Sequence, residues 1–265
     1  MAKITISHLN KMKQAGEKIT MLTSYDASMT RLAETAGVDT LLVGDSLGMV
    51  IQGHGSTLPV SVDDMVYHTA TVARVSQSAM VIADMPFMSH GTQQQALDTA
   101  GRLMKEGGAE MVKIEGGAPQ VETVRHLTER AVPVCGHLGL MPQSIHQLGG
   151  YRVQGKEAQA ADQMIADALA LQAAGAQMLV LECIPQALAQ SITQELAIPV
   201  IGIGAGKDTD GQVLVCYDML GMSVNRIPSF VKNFLADTGS VQEALSAYVS
   251  AVRAGEFPAA EHIPA

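Results

Sequence analysis

Five short stretches of the chain place ionisable side chains at the ends of apolar runs. Leu41-Leu-Val-Gly-Asp-Ser46 ends in Asp45 and Ser46, and Met80-Val-Ile-Ala83 is followed by Asp84. Met111-Val-Lys-Ile-Glu115 carries Lys113 and Glu115, Val132 to Gly136 leads to His137, and Met178-Leu-Val-Leu181 leads to Glu182. Apolar runs bounded by polar residues and glycine read as buried strands entering turns. In parallel α/β folds ligands bind at the C-terminal edge of the strands. Several acids brought to one such edge repel and desolvate each other, a conflict that a bound cation resolves. Asp45, Asp84 and Glu115 follow consecutive strands. Hard carboxylate oxygens without a Cys/His set favour Mg²⁺ over zinc, and no two histidines stand four residues apart.

The other residues have two readings each. Lys113 shares a strand face with Glu115, so it either pairs with that acid or holds a substrate carboxylate. Glu182, between Leu181 and Cys183-Ile-Pro185, sits in apolar company that suits a general base; the plainer reading is a salt-bridged cap. His137 is either a hydrogen-bond donor to substrate or a satisfied histidine at the core edge. Ile201-Gly-Ile-Gly-Ala-Gly206 lacks both the G-x-G-x-x-G spacing and a P-loop lysine, which leaves close backbone packing or a plain turn. Residues 138–155 are long for a strand-to-helix connection and read as a candidate lid.

The elements that must position these residues alternate. Short apolar runs fall at Ile19–Thr23, 40–44, 80–83, 111–114, 132–136, 178–181, 199–203 and 213–216, with helical patterns between most of them. Glycines stop the helices at Gly37, Gly107-Gly108 and Gly175. Such alternation implies parallel βαβ units, and eight of them close into a barrel. The expectation is a single α/β domain over 1–265. It would be a (β/α)8 TIM barrel with a short N-terminal helix in 4–16 and extra C-terminal helices near 228–235 and 241–254. A doubly wound open sheet is the runner-up.

Composition narrows the class. The 265 residues carry a net charge of −9, which argues against a general footprint for nucleic acid or an anionic membrane. No apolar run approaches the ~18 residues of a membrane span, and the polar, lysine-bearing start is not that of a signal peptide. Tryptophan is absent and methionine numbers 16, so Met, Ala, Val, Leu and Ile must fill the core. Three cysteines, Cys135, Cys183 and Cys216, fit a reducing cytoplasm with unpaired thiols.

Seven stretches, in order along nearly the whole chain, together resemble the ketopantoate hydroxymethyltransferase family. They are Leu22-Thr-Ser-Tyr-Asp26, Leu42-Val-Gly-Asp-Ser-Leu-Gly-Met49, Ser56-Thr-Leu-Pro59, Val112-Lys-Ile-Glu115, Gly136-His-Leu-Gly-Leu140, Gly150-Tyr-Arg-Val-Gln-Gly155 and Ile201-Gly-Ile-Gly-Ala-Gly206. The resemblance implies a (β/α)8 barrel, Mg²⁺, and a cytoplasmic homo-oligomer, a decamer in many bacterial members. It implies transfer of a hydroxymethyl unit from 5,10-methylenetetrahydrofolate to 3-methyl-2-oxobutanoate, the first committed step of pantothenate synthesis. It makes Asp45, Asp84 and Glu115 the metal-site acids, sets Asp45, Ser46, Asp84 and Lys113 against the oxoacid, and makes Glu182 the proton acceptor. Two positions depart from the family pattern: Tyr217 stands where many members have His, and Gly55 where many have Asp. The nearest rival is a Mg²⁺-dependent lyase or mutase of the isocitrate lyase and phosphoenolpyruvate mutase kind. A non-catalytic barrel scaffold is the rival from another class.

Overall fold

The structure is a computed structural model that describes residues 3–224 and 226–263. Eight parallel strands close into one barrel in sequence order: β1 (Ile19–Thr23), β2 (Thr40–Val43), β3 (Met80–Asp84), β4 (Met111–Glu115), β5 (Val134–Gly139), β6 (Met178–Glu182), β7 (Val200–Ile203) and β8 (Gly211–Leu214). Around them run α1 (Ile6–Ala15), α2 (Ala27–Ala36), α3 (Leu47–Val50), α4 (Val62–Ala73), α5 (Gln93–Lys105) and α6 (Val121–Thr128). These are followed by α7 (Ile145–Leu148), α8 (Ala158–Ala173), α9 (Gln186–Glu195), α10 (Cys216–Met219) and α11 (Val241–Arg253). The closed sheet excludes the open doubly wound alternative.

The period of two along each strand sorts side chains into two layers. Outward residues such as Val112, Ile114 and Leu179 pack under the helices. Inward residues such as Met21, Met80, Met111 and Met178 fill the barrel, and Leu9 and Met12 of α1 join them. Three strands repeat one inward sequence: Met80-Ile82-Asp84, Met111-Lys113-Glu115 and Met178-Val180-Glu182. Methionine lies at the N-terminal end and a carboxylate four residues on, about 13 Å away at the strand rise.

Local chemistry fixes where the elements begin. The side chains of Thr5, Asp26 and Thr92 accept from backbone N–H groups at the starts of α1, α2 and α5, and Ser61 with Asp64 forms a capping box on α4. Asp26 is therefore a helix cap. Asp39, at the opposite end of the barrel from the site, is likewise structural. It accepts from Thr20 N at 2.8 Å and Thr20 Oγ1 at 2.7 Å, and meets Arg253 at 3.2 Å. The Tyr248 hydroxyl of α11 lies 2.8 Å from Met21 O and 2.9 Å from Gln212 O, bridging β1 and β8 where the barrel closes.

The structure departs from the sequence reading at β5, at β8 and near 228–235. β5 continues through Gly139, which pairs in register with Glu182, so His137 lies inside a strand. β8 stops at Leu214 because Cys216 N turns to Thr23 Oγ1 at 2.9 Å and α10 begins; Tyr217 and Asp218 therefore stand on that short helix. The helix expected near 228–235 is absent. Asn233 Oδ1 accepts from Leu235 N and Ala236 N, a local turn that competes with a helix, and only a 3₁₀ turn, Leu235–Asp237, follows. No helix among the described residues is long and apolar enough to cross a membrane.

Candidate active site

A cavity of about 760 Å³ opens at the C-terminal end of the strands. Asp45, Ser46, Asp84, Lys113, Glu115 and His137 all line it, and Glu182 stands in the same wall. The inward repeat of β3, β4 and β6 delivers four of these side chains by the same geometry.

Lys113 is at the centre. Its buried ammonium lies 3.0 Å from Asp84 Oδ1 and 3.7 Å from Glu115 Oε1. Burial opposes the charged amine, but Asp84, Glu115 and Asp45 outweigh it and hold the lysine pKa above its ordinary value. Burial pushes the Asp45 carboxyl well above the usual carboxylate range, with Asp84 and Glu115 adding to it. Asp84 is likewise raised by burial, against the pull of Lys113. Glu115 goes the other way: burial would raise it, but the hydrogen bond from His137 and its charge hold it below the usual value.

His137 stands between two glutamates. Nδ1 is 3.3 Å from Glu115 Oε1, and Nε2 is 3.3 Å from Glu182 Oε2. Nε2 is buried and not aligned for a hydrogen bond to any group, which leaves a donor for a ligand. Burial and Lys113 disfavour the imidazolium, yet Glu115 and Glu182 raise the His137 pKa to about 9. Nδ1 also lies 3.3 Å from the Lys113 ammonium, so the ring is partnered at one nitrogen and has a vacant place at the other. Ser46 Oγ is held 2.8 Å from the buried Tyr25 hydroxyl.

Gln143 is a site residue that the sequence did not reveal. Its Nε2 donates to Asp45 Oδ2 at 2.8 Å and to Met85 O at 2.9 Å, while its backbone N donates to Glu115 Oε2 at 3.1 Å. One loop residue after β5 thus orients two of the acids. A glutamine in a polar loop carries no signal of that role. The two departures from the family pattern sit differently. Gly55 lines the cavity, and a Cβ there would meet nothing within 4 Å. Tyr217 packs its ring 6.1 Å from Tyr25, behind Ser46. The glycine loop after β7 serves packing: a Cβ on Gly204 would come within 2.9 Å of the Phe230 ring, and one on Gly206 within 2.4 Å of Gln186.

The donor set fits a divalent cation. Asp84 Oδ1 is buried with the Lys113 ammonium 3.0 Å away and has room for a further partner, and the raised Asp45 and Asp84 carboxyls resist ionising together. Among the described residues no three His, Cys, Asp or Glu side chains form a ready-made cage. Mg²⁺ does not need one, because it keeps waters and substrate oxygens beside one or two carboxylates.

The profile of the family described as ketopantoate hydroxymethyltransferase matches residues 3–260. A 3-methyl-2-oxobutanoate hydroxymethyltransferase of Nitrosococcus oceani is 59% identical over 261 residues, covering 98% of this chain and 99% of that protein. Its counterpart in Tolumonas auensis is 58% identical over 262 residues, covering 99% of each. Among solved structures, 2,3-dimethylmalate lyase, a member of the PEP mutase/isocitrate lyase superfamily, superposes with a TM-score of 0.60 at 20% identity over 82% of each chain.

Proposed function

Because the chain belongs to the ketopantoate hydroxymethyltransferase family, we propose that it transfers a hydroxymethyl unit from 5,10-methylenetetrahydrofolate to 3-methyl-2-oxobutanoate. The product is 2-dehydropantoate, a precursor of pantothenate. The observation that carries the reading is one continuous wall, Asp84–Lys113–Glu115–His137–Glu182, that joins an anion-binding floor to a carboxylate base.

The chemistry of this chain's residues follows from that wall. Lys113 offsets the charge of the oxoacid carboxylate, and Ser46 and His137 Nε2 donate hydrogen bonds to its oxygens. Asp45, Asp84 and Glu115 would hold Mg²⁺, which supplies Lewis-acid polarisation of the oxoacid when bound. Glu182 accepts the C3 proton, with the His137 imidazolium 3.3 Å away as its counter-charge. The carbon freed of its proton bonds to the methylene carbon as one of the two C–N bonds to the folate breaks; water then cleaves the second C–N bond and leaves the hydroxymethyl group, and the two folate nitrogens take up the proton held by Glu182 and one from water. Charges fixed in place before the reaction contribute several kcal/mol of barrier lowering in such sites. A cytoplasmic homo-oligomer belongs to the same proposal, and sedimentation velocity measures its size. The isocitrate lyase and phosphoenolpyruvate mutase chemistry has only a fold likeness in its favour.

Proton NMR in D₂O with Mg²⁺ tests the reaction. The C3 proton of 3-methyl-2-oxobutanoate should exchange without folate. Glu182→Gln should slow exchange by about 10²- to 10⁴-fold, the usual contribution of a general base, while the oxoacid still binds. No exchange by the parent protein at saturating oxoacid would sink the enolisation step; exchange surviving in the variant would move the base elsewhere.

A further inference from the structure

The cavity is larger than a short oxoacid requires, and its charges are divided by depth. Deep in the cavity, the cation Lys113 is enclosed by Asp84 and Glu115. At the mouth stand two more cations, Arg152 and Arg226, both exposed and both lining the cavity. They come from separate segments, one between α7 and α8 and the other between α10 and α11. Neither guanidinium makes a hydrogen bond or ion pair among the described residues, whereas Arg102, Arg125, Arg130 and Arg253 each meet a carboxylate. The chain carries nine more negative than positive charges at pH 7. Two unpaired guanidiniums over the mouth of an acid-lined cavity therefore form a local exception to the charge of the molecule.

A guanidinium is a planar fork that matches a carboxylate with two parallel hydrogen bonds. Beside Arg152, the Tyr151 ring is half exposed, with its hydroxyl 3.6 Å from Met49 Sδ. An aromatic face beside one cation, in a cavity lining that includes the other, suits a ligand that is a flat ring at one end and acidic at the other. The oxoacid is neither flat-ringed nor long. The one-carbon donor is both: its reactive ring must approach Glu182, and its glutamyl carboxylates then trail outward.

We propose that Arg152 and Arg226 form a carboxylate-recognition site at the cavity mouth that binds the glutamyl tail of the folate co-substrate and sets its chain-length preference, an inference that rests on the reaction proposed above. The interaction is solvated, so each arginine contributes the modest affinity of an exposed ion pair.

Steady-state kinetics with Mg²⁺ test this, using donors that carry one or three glutamyl residues. Arg152→Gln and Arg226→Gln should each raise the KM for the triglutamyl donor about fivefold, and the double variant about twentyfold. The KM for the oxoacid and kcat should move less than twofold. The advantage of three glutamyl residues over one should vanish in the double variant, and added salt should weaken donor binding in the parent more than in that variant. Arg→Lys at both positions should restore part of the affinity, since charge survives but the fork does not. A donor KM unchanged in the double variant overturns the proposal, as does a rise confined to the oxoacid KM, which would assign the arginines to the smaller substrate. Folate-free exchange in D₂O separates the two levels. No exchange by the parent sinks the reaction itself; normal exchange with an unaltered donor KM sinks the tail site alone. Calorimetry with tetrahydrofolate triglutamate reads the tail site directly, and equal affinity of parent and double variant overturns it whatever the reaction.

Discussion

Lys113→Met isolates the charge balance of the cavity. The substitution keeps an unbranched apolar stem and deletes one positive charge. In the parent the ammonium lies 3.0 Å from Asp84 and 3.7 Å from Glu115, and all three groups are buried. Removing one partner of a buried pair costs about 3–5 kcal/mol, because the other charge is left without compensation. The carboxyls can avoid that cost by holding a proton, and burial already raises Asp45 and Asp84 in the parent. Losing Lys113 raises them further. A group whose folded pKa exceeds its unfolded pKa contributes stability below the unfolded value, and that stability is lost as pH rises through the folded value. The deficit of the variant is therefore small in acid and grows with pH, by about 1.4 kcal/mol per pH unit for each proton involved. It levels off near about 3–5 kcal/mol. Urea unfolding of parent and variant in metal-free buffer, from about pH 5 to about pH 8.5, measures the difference. A difference that is flat with pH, or a variant as stable as the parent in weak alkali, refutes the reasoning.

Three further outcomes are expected. Gln143→Leu leaves Asp45 Oδ2 and Met85 O without their donor; differential scanning calorimetry should record a loss of about 1–3 kcal/mol, and Mg²⁺ affinity should fall with it. Asp84→Asn removes one of the proposed metal acids, so Mg²⁺ titration calorimetry should show weaker binding; equal affinity would take Asp84 out of the metal site. Tyr248→Phe deletes the hydroxyl that bridges Met21 O and Gln212 O; thermal unfolding should show a loss of about 1–3 kcal/mol, with the C3 exchange rate intact.

Much of this architecture is legible in the sequence because a parallel barrel writes its strands as short apolar runs. The period of two then places Asp84, Lys113, Glu115 and Glu182 on the inner face. What the sequence hides depends on where loops come to rest. Gln143 reaches Asp45 across ninety-eight positions, and His137 meets Glu182 only because β5 and β6 pair in a particular register. Nor does residue type separate a site acid from a structural one. Asp39 and Asp84 are both buried aspartates beside strands, but Asp39 precedes its strand and serves the backbone of Thr20. The helix expected near 228–235 failed for a similar local reason, since the Asn233 side chain occupies the N–H groups that a helix would use.

The alternation of Met111, Lys113 and Glu115 with Val112 and Ile114 bears on assembly as well as chemistry. A slip of β4 by one residue would turn the lysine and glutamate into the apolar layer beneath the helices and bring Val112 and Ile114 into the cavity. Strands β3 and β6 carry the same device, each with a single acid at its tip. A barrel strand made only of Val, Ile and Leu could slide against its neighbours at little cost. Here three strands each have one pairing in which no charge is stranded in hydrocarbon. The side chains that crowd the C-terminal end of the strands thus act as alignment marks, and the repulsion they store is also the penalty that keeps misaligned barrels unpopulated.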